Sequence, residues 1–126
     1  MTDNGCPFCG LDEGRVVVAE SEVAFAIYDK FPVNPGHALV IPKRHCADYF
    51  ELSVEEQEGC WRLLNEVKRL VADRFSPDGF NVGINVGAMA GQTVPHVHLH
   101  LIPRYRGDVE EPRGGVRGVI PARQQY

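Results

Sequence analysis

The clearest regularities along the chain are alternations. From Phe80 to Val86, the residues Phe80, Val82, Ile84 and Val86 fall on one side, and Asn81, Gly83 and Asn85 on the other. Side chains two apart share a face of a β-strand, so this segment reads as a strand with one dry and one wet face. Gly83 leaves room on the wet face. Further on, His96, His98 and His100 alternate with Val97, Leu99 and Leu101. That predicts a strand over 97–103 with an apolar side and an imidazole side. His37 to Lys43 reads as a buried strand. Val16 to Glu20 and Glu22 to Asp29 read as a strand pair with a turn near Ser21. In the second of these, Val23, Phe25, Ile27 and Asp29 share a face. One stretch changes period: Cys60, Leu63, Leu64, Val67, Leu70 and Val71 recur at helical spacing, predicting a helix over 53–75 that lays one stripe on the sheet. Ser53 and Glu56 form a capping box at its start, and Ser76-Pro77-Asp78-Gly79 stops it. Trp61 is expected at the helix margin or in a contact between copies.

Composition narrows the class. A chain of 126 residues with 44% hydrophobic and 24% charged residues suits one globular domain. A net charge of −4 argues against general nucleic-acid binding. No apolar run approaches ~20 residues, and the opening MTDNGCPFCG lacks a signal-peptide core, which together predict a cytoplasmic chain with no membrane partner. Its four cysteines are then thiols or metal ligands rather than disulfides. Tyr105 to Tyr126 holds four glycines and two prolines with little periodicity. The expected organisation is a domain over 1–104 and an extended tail over 105–126, ordered in part by a partner subunit.

The chemistry concentrates in a few residue types. Cys6 and Cys9 at a tight turn can share a metal or form a redox pair. The apolar face ending in Asp29 reads either as a core strand with a polar end, the commoner case, or as a nucleoside cleft. Three imidazoles on one strand face serve metal binding, or acid–base and nucleophilic chemistry, far better than they serve solvation.

His-Val-His-Leu-His-Leu-Ile resembles the His-φ-His-φ-His-φ-φ signature of the histidine triad (HIT) superfamily of nucleotidyl hydrolases and transferases. Pro35-Gly36-His37 with Val40-Ile41-Pro42-Lys43 and His45 resembles its upstream segment. The resemblance runs from Cys6 to about Arg104. It implies an α+β fold: a five-stranded antiparallel sheet with one long helix on one face, dimerising into a larger sheet. It implies a homodimer that binds a purine nucleotide, with Asp29, eight residues before His37, on the ribose and Phe25 and Ile27 against the base. His98 is implied as the nucleophile that takes up the nucleotidyl group at its α-phosphorus. His100 and His37 support it. Gly91, Gln92, Thr93 and Asn85 are implied to contact the phosphate or brace the loop around it, with Gln92 counted among the catalytic residues.

If strands 37–43 and 97–103 run antiparallel, the five histidines divide. His45 meets His96 at one edge, while His37 and His100 fall toward the other. The first pair completes a Cys2His2 set with Cys6 and Cys9. Many bacterial members look similar here, so the resemblance implies a structural zinc ion on Cys6, Cys9, His45 and His96, with no catalytic metal.

The branch within the superfamily stays open. Ala90 to Val94, and Ile102-Pro103-Arg104 followed by Gly107-Asp108, look like the Fhit-type dinucleoside polyphosphate hydrolases. The C-x-x-C and Asp29 look like Hint-type phosphoramidases, although Pro95 stands where those carry an aromatic residue. The longer two-repeat uridylyltransferases fit poorly. Outside enzymes, the same features suit a nucleotide-binding regulatory or interaction module with little turnover, or a structural zinc domain.

Overall fold

The helix forms where its periodicity placed it. In the computed structural model, which describes residues 5–11 and 14–126, helix α1 spans Val54–Phe75. The capping box is present: the Ser53 hydroxyl accepts the Glu56 N–H at 3.0 Å, and the Glu56 carboxylate accepts the Ser53 N–H at 2.9 Å. Ser76 ends the helix in the left-handed region at φ 51°, and Pro77 prevents its continuation. Cys60, Leu63, Leu64, Val67 and Val71 are buried, but Leu70 is 42% exposed. At 100° per residue, Leu70 lies about 75° from the mean direction of the other five, so the buried stripe is narrower than the sequence reading had it. Trp61 stands at the helix margin, 38% exposed, and donates its indole N–H to the Tyr49 hydroxyl.

Five strands make one antiparallel sheet: β1 (Val17–Glu20), β2 (Ala24–Tyr28), β3 (Ala38–Pro42), β4 (Gly79–Ile84) and β5 (Leu99–Arg104). Their order is β1-β2-β3-β5-β4, so β5 inserts between β3 and β4. One face packs on α1 through Ala24, Ala26, Ala38, Val40, Leu99 and Leu101, with Phe80, Val82 and Ile84 alongside. The alanines let the helix approach closely, and burial of this face is the main stabilising contribution. The opposite face carries a smaller cluster of Ile27, Leu39 and Ile41, edged by Phe8, Leu11 and Phe25. β3 is therefore covered on both faces, as its unbroken apolar run implies.

Three strand expectations need correction. Val23 precedes β2 in a bend and packs on the helix side, so it does not share the face of Phe25 and Ile27. β4 ends at Ile84, which leaves Asn85 and Val86 in the following loop. β5 begins at Leu99, so only His100 of the three alternating histidines lies in a regular strand. Pro95 has no N–H to give a ladder, and Val97 turns its own N–H to the Cys46 carbonyl at 2.8 Å, beyond the end of β3.

The tail was expected to be extended. It instead carries two short 3-10 turns, Gly115–Val119 and Pro121–Arg123. Gly114 (φ 90°) and Gly115 (φ 40°) reverse the chain there. Asp108 ties the tail to the sheet, accepting from Arg104 Nε and Nη2 at 2.8 and 2.9 Å and from the Asn34 amide at 2.8 Å. Among the described residues, no helix is long and apolar enough to cross a membrane.

Candidate active site and metal centre

The antiparallel pairing of β3 with β5 sets Leu39 opposite His100. It divides the histidines as the assumed pairing required. His45 and His96 meet at one end, with their Nδ1 atoms 3.2 Å apart. His37 and His100 meet at the other, His37 Nε2 lying 3.0 Å from His100 Nδ1.

At the first end, Cys6, Cys9, His45 and His96 converge, each offering one ligand atom. Cys6 Sγ is 3.3 Å and Cys9 Sγ 3.5 Å from His96 Nδ1, and Cys9 Sγ is 3.2 Å from His45 Nδ1. A tetrahedral ion held by imidazole at about 2.05 Å and thiolate at about 2.3 Å needs edges of about 3.3 Å between nitrogens and about 3.5 Å between nitrogen and sulfur. The set fits that shape. His96 donates Nε2–H to the Pro42 carbonyl at 2.7 Å, which leaves the Nδ1 lone pair for an ion. Burial also holds His96 below the ordinary imidazole range, in its neutral, ligating form. Burial pushes the Cys6 thiol up, and a bound cation is what turns such a group into a thiolate. Upstream, Arg44 grips Glu56 at the start of α1 with two bonds of 2.8 Å, fixing the segment that carries His45.

At the second end, hydrogen-bond partners assign the tautomers. The Val33 N–H donates to His37 Nδ1 at 3.0 Å, so His37 carries its proton on Nε2. That proton faces His100 Nδ1 at 3.0 Å and an oxygen of Asp29 at 3.5 Å. His100 then accepts at Nδ1 and, when neutral, holds its own proton on Nε2. Burial, reinforced by His98 and His37, lowers His100 to about 4, so it is neutral near pH 7. Burial also lowers His37, with Asp29 opposing. Because His37 Nε2 bears a proton, Val33, His37 and His100 form a hydrogen-bonded chain, with the Asp29 carboxylate alongside, rather than a metal cage.

His98 lies between the two ends, 8% exposed. It donates Nδ1–H to the His96 carbonyl at 2.8 Å, which leaves the Nε2 lone pair available. Its ring sits 5.1 Å from those of Phe8 and His100. Phe8, between Cys6 and Cys9, also reaches the His96 ring at 6.0 Å. The sequence reading gave Phe8 no role, although its place inside the C-x-x-C was the available signal. The backbone of Val33 was also missed, and no residue-type pattern could have shown it.

The remaining expected residues are placed as follows. Phe25 and Ile27 lie on the face away from α1, but Ile27 is fully buried in the cluster, so only Phe25 is open to a ligand; Asp29 follows directly after β2. Asp29 accepts the Phe31 N–H at 2.9 Å. Asn85 borders a groove shared with His37 and His100. Gln92 spends its amide differently from expectation: it donates to the Ala47 and Val94 carbonyls at 2.8 and 3.0 Å and accepts the Gly87 N–H at 2.9 Å. It braces the loop. The Gly91 and Gln92 N–H groups close that loop on Ala88 and Gly87, so they do not point to a phosphate. Thr93 is exposed beside them.

Known proteins resemble this chain in sequence and fold. The HIT domain matches residues 12–107. An uncharacterized 16.1 kDa HIT-like protein of Mycoplasma pneumoniae is 44% identical over 83% of this chain and 75% of its own. An AP-4-A phosphorylase of Mycobacterium tuberculosis is 35% identical over 77% of this chain but only 50% of its own. A bis(5'-adenosyl)-triphosphatase of Dictyostelium discoideum is 41% identical over 71% of this chain and 60% of its own. Among solved structures, a HIT family protein of Bacillus anthracis superposes with a TM-score of 0.77 at 40% identity, over 86% of this chain and 78% of the other. A Zn-bound histidine triad family protein of Mycobacterium smegmatis gives 0.75 at 36% identity, over 82% and 77%. With its fold, its triad and these relatives in agreement, the chain belongs to the HIT domain family.

Proposed function

We propose that this protein hydrolyses a purine nucleotide conjugate through a covalent nucleotidyl-histidine on His98. The observation that carries the reading is the His98 Nδ1–H bond to the His96 carbonyl, which presents Nε2 as a fixed nucleophile. The relatives named AP-4-A phosphorylase and bis(5'-adenosyl)-triphosphatase support a nucleotide substrate.

The base lies against Phe25 at the edge of the satellite cluster, with the buried Ile27 backing it, and the Asp29 carboxylate takes the ribose hydroxyls. His98 Nε2 forms a bond to the α-phosphorus as the bond from phosphorus to the leaving group breaks. Neutral His100 donates Nε2–H to the departing atom, held in that orientation by His37, and the leaving group takes up a proton from solvent. Water then attacks the phosphorus, loses a proton to solvent, breaks the His98 bond and frees the nucleoside monophosphate. Positioning and charge stabilisation dominate such transfers, and the hydrogen-bonded chain Val33–His37–His100 provides the positioning. Gln92 contributes by holding the loop that leads to His96.

We also assign zinc to Cys6, Cys9, His45 and His96. The Zn-bound relative supports it, as does a donor set that fills all four positions and so leaves the ion structural. Zinc there would hold the N-terminal segment against His96 and leave the reaction to the imidazoles. A homodimer through the edge strand β4 would continue the sheet into a second copy.

The test compares kcat/KM for adenosine phosphoramidate, diadenosine triphosphate and diadenosine tetraphosphate, with His98→Ala as blank. Rapid acid-free quenching and intact mass analysis follow the nucleotidyl adduct. His98→Ala should lose adduct and turnover by about a thousandfold or more while still binding nucleotide. Turnover retained in His98→Ala overturns the reading. Nucleotide binding without turnover or adduct in the wild type would leave a binding module.

A further inference from the structure

Sheet order gives the triad two sides. The cluster of Phe25, Ile27 and Leu39 lies over β2 and β3, whereas β5 and β4 continue the same face in the opposite direction. Over β4 and β5 lies an open groove of about 440 Å³. His37 and His100 form its triad edge, Asn81, Gly83 and Asn85 its floor, and Val116 and Val119 its far wall. The wall belongs to the 3-10 turn Gly115–Val119 of the tail, seated so that a Cβ on Gly115 would come 3.3 Å from the Asn81 amide. Opposite the His100 edge, Gly83 adds no bulk: a Cβ there would meet nothing within 4 Å.

The charge of this region is distinctive. No lysine or arginine is among the described residues lining the groove. The adjoining groove, which shares Val33, Asn81, Ile102, Gly115 and Gly118 with it, brings Asp108, Glu110 and Glu111. Its one arginine, Arg104, is bound to Asp108 and to the Asn81 side chain. The tail's Arg117 turns away to the Gln124 and Arg123 carbonyls and to the Tyr126 ring, 4.6 Å from its guanidinium. Arg104 and Arg117, the arginines beside this wall, are thus held within the chain. Meanwhile Val116 and Val119 stand 62% and 79% exposed beside the catalytic imidazoles.

We propose that the turn Gly115–Val119 walls a second subsite, contiguous with His100, that receives the leaving group and selects uncharged apolar amines or alcohols over polyphosphate chains. It rests on nucleotidyl transfer at His98, and it adds what that reading leaves open, the chemistry of the departing half. A nucleotide seated over β2 and β3 projects its leaving group past His98 and His100 toward β4, where Val116 and Val119 cover an apolar ring or chain. A polyphosphate in the same place meets no lysine or arginine among the described residues of the groove lining and approaches Glu110 and Glu111. The valines act by contact with the leaving group, so their influence ends when it departs.

Two probes share one nucleotide: adenosine 5′-(N-benzyl)phosphoramidate and diadenosine tetraphosphate. The wild type should favour the benzyl compound in kcat/KM. Val119→Arg should lower the ratio of the two by about tenfold or more, the size expected when an apolar contact is exchanged for a charge, and Val119→Ile should keep it. Hydrolysis of preformed nucleotidyl-His98 should be the same in all three proteins, because that step contains no leaving group. Circular dichroism melting checks that the exposed position leaves the fold intact. A wild-type preference for the polyphosphate, an unchanged ratio, or an equal loss on both substrates overturns the inference. An equal loss accompanied by a fall in molecular mass in solution would assign the wall to an interface between copies. Failure of every substrate to form the adduct would instead be a failure of the His98 reading.

Discussion

Replacing His100 by asparagine tests the buried imidazole chain through stability rather than turnover. In the fold, His100 titrates at about 4, against an ordinary value of 6.5, chiefly because burial disfavours its charged form. Its folded value is depressed, so the unfolded chain takes up this proton first. The group therefore costs nothing above about pH 6.5 and penalises the fold as pH drops from 6.5 toward 4. Between pH 7.5 and 5.5 those two values correspond to roughly 1.3 kcal/mol. Part of the ring reaches solvent, and screening there reduces the expectation to about 1 kcal/mol. In His100→Asn the new side-chain carbonyl could still accept the His37 Nε2–H but cannot titrate. Urea unfolding of metal-loaded wild type and His100→Asn, followed by Trp61 fluorescence, gives a difference in which any acid sensitivity of the metal ligands cancels. The wild type should lose about 1 kcal/mol relative to His100→Asn between the two pH values. A difference constant to within about 0.3 kcal/mol would show that His100 is not held neutral by burial, and its role as a neutral donor to the departing atom would lose its basis.

Two other perturbations separate the sites from the scaffold. Purified protein should carry about one zinc per chain by atomic absorption. Chelation or Cys9→Ser should lower the melting midpoint by about 5 °C or more, because ligand binding to the native state alone stabilises it; metal-free protein with an unchanged midpoint would refute the four-ligand centre. Gly83→Val places an isopropyl group in the groove opposite His100, where a Cβ meets nothing within 4 Å. Stability should change by no more than about 1 kcal/mol while turnover of bulky substrates falls at least tenfold; parallel losses of stability and activity would mean that the groove is not a substrate channel.

Much of this was legible from residue types because period and chemistry coincide. The capping box, the helical stripe and the Phe80–Ile84 alternation each state a local preference that the fold keeps. The split of five histidines into two groups followed from one assumption, antiparallel pairing of β3 with β5, which the register bears out. The failures occur where backbone hydrogen bonds decide. Nothing in the residues at 95–98 reveals that Val97 pairs with Cys46 rather than continuing a strand. Gln92 has the right chemistry for a phosphate, but three backbone groups claim its amide. Val23 has the right parity for the face of Phe25 and Ile27, yet a bend before β2 turns it to the helix. The tail has no period to read, since its shape comes from glycine torsions and from Asp108 contacts with residues distant in the chain.

The interior position of β5, between β3 and β4, governs how the molecule comes into being. His37 and His100 are 63 residues apart in the chain, and Cys6 and His96 are 90 apart. Contacts of that separation close late, after the local hairpin of β1 and β2 and after α1. During synthesis β1, β2, β3, α1 and β4 all emerge before β5, so β1 to β3 can pair while β4 still lacks its only partner strand. Until β5 arrives, β3 and β4 each present an unpaired edge, the form of chain most prone to join its neighbours. The last strand to enter is thus the one that both seals the sheet and brings the imidazoles together.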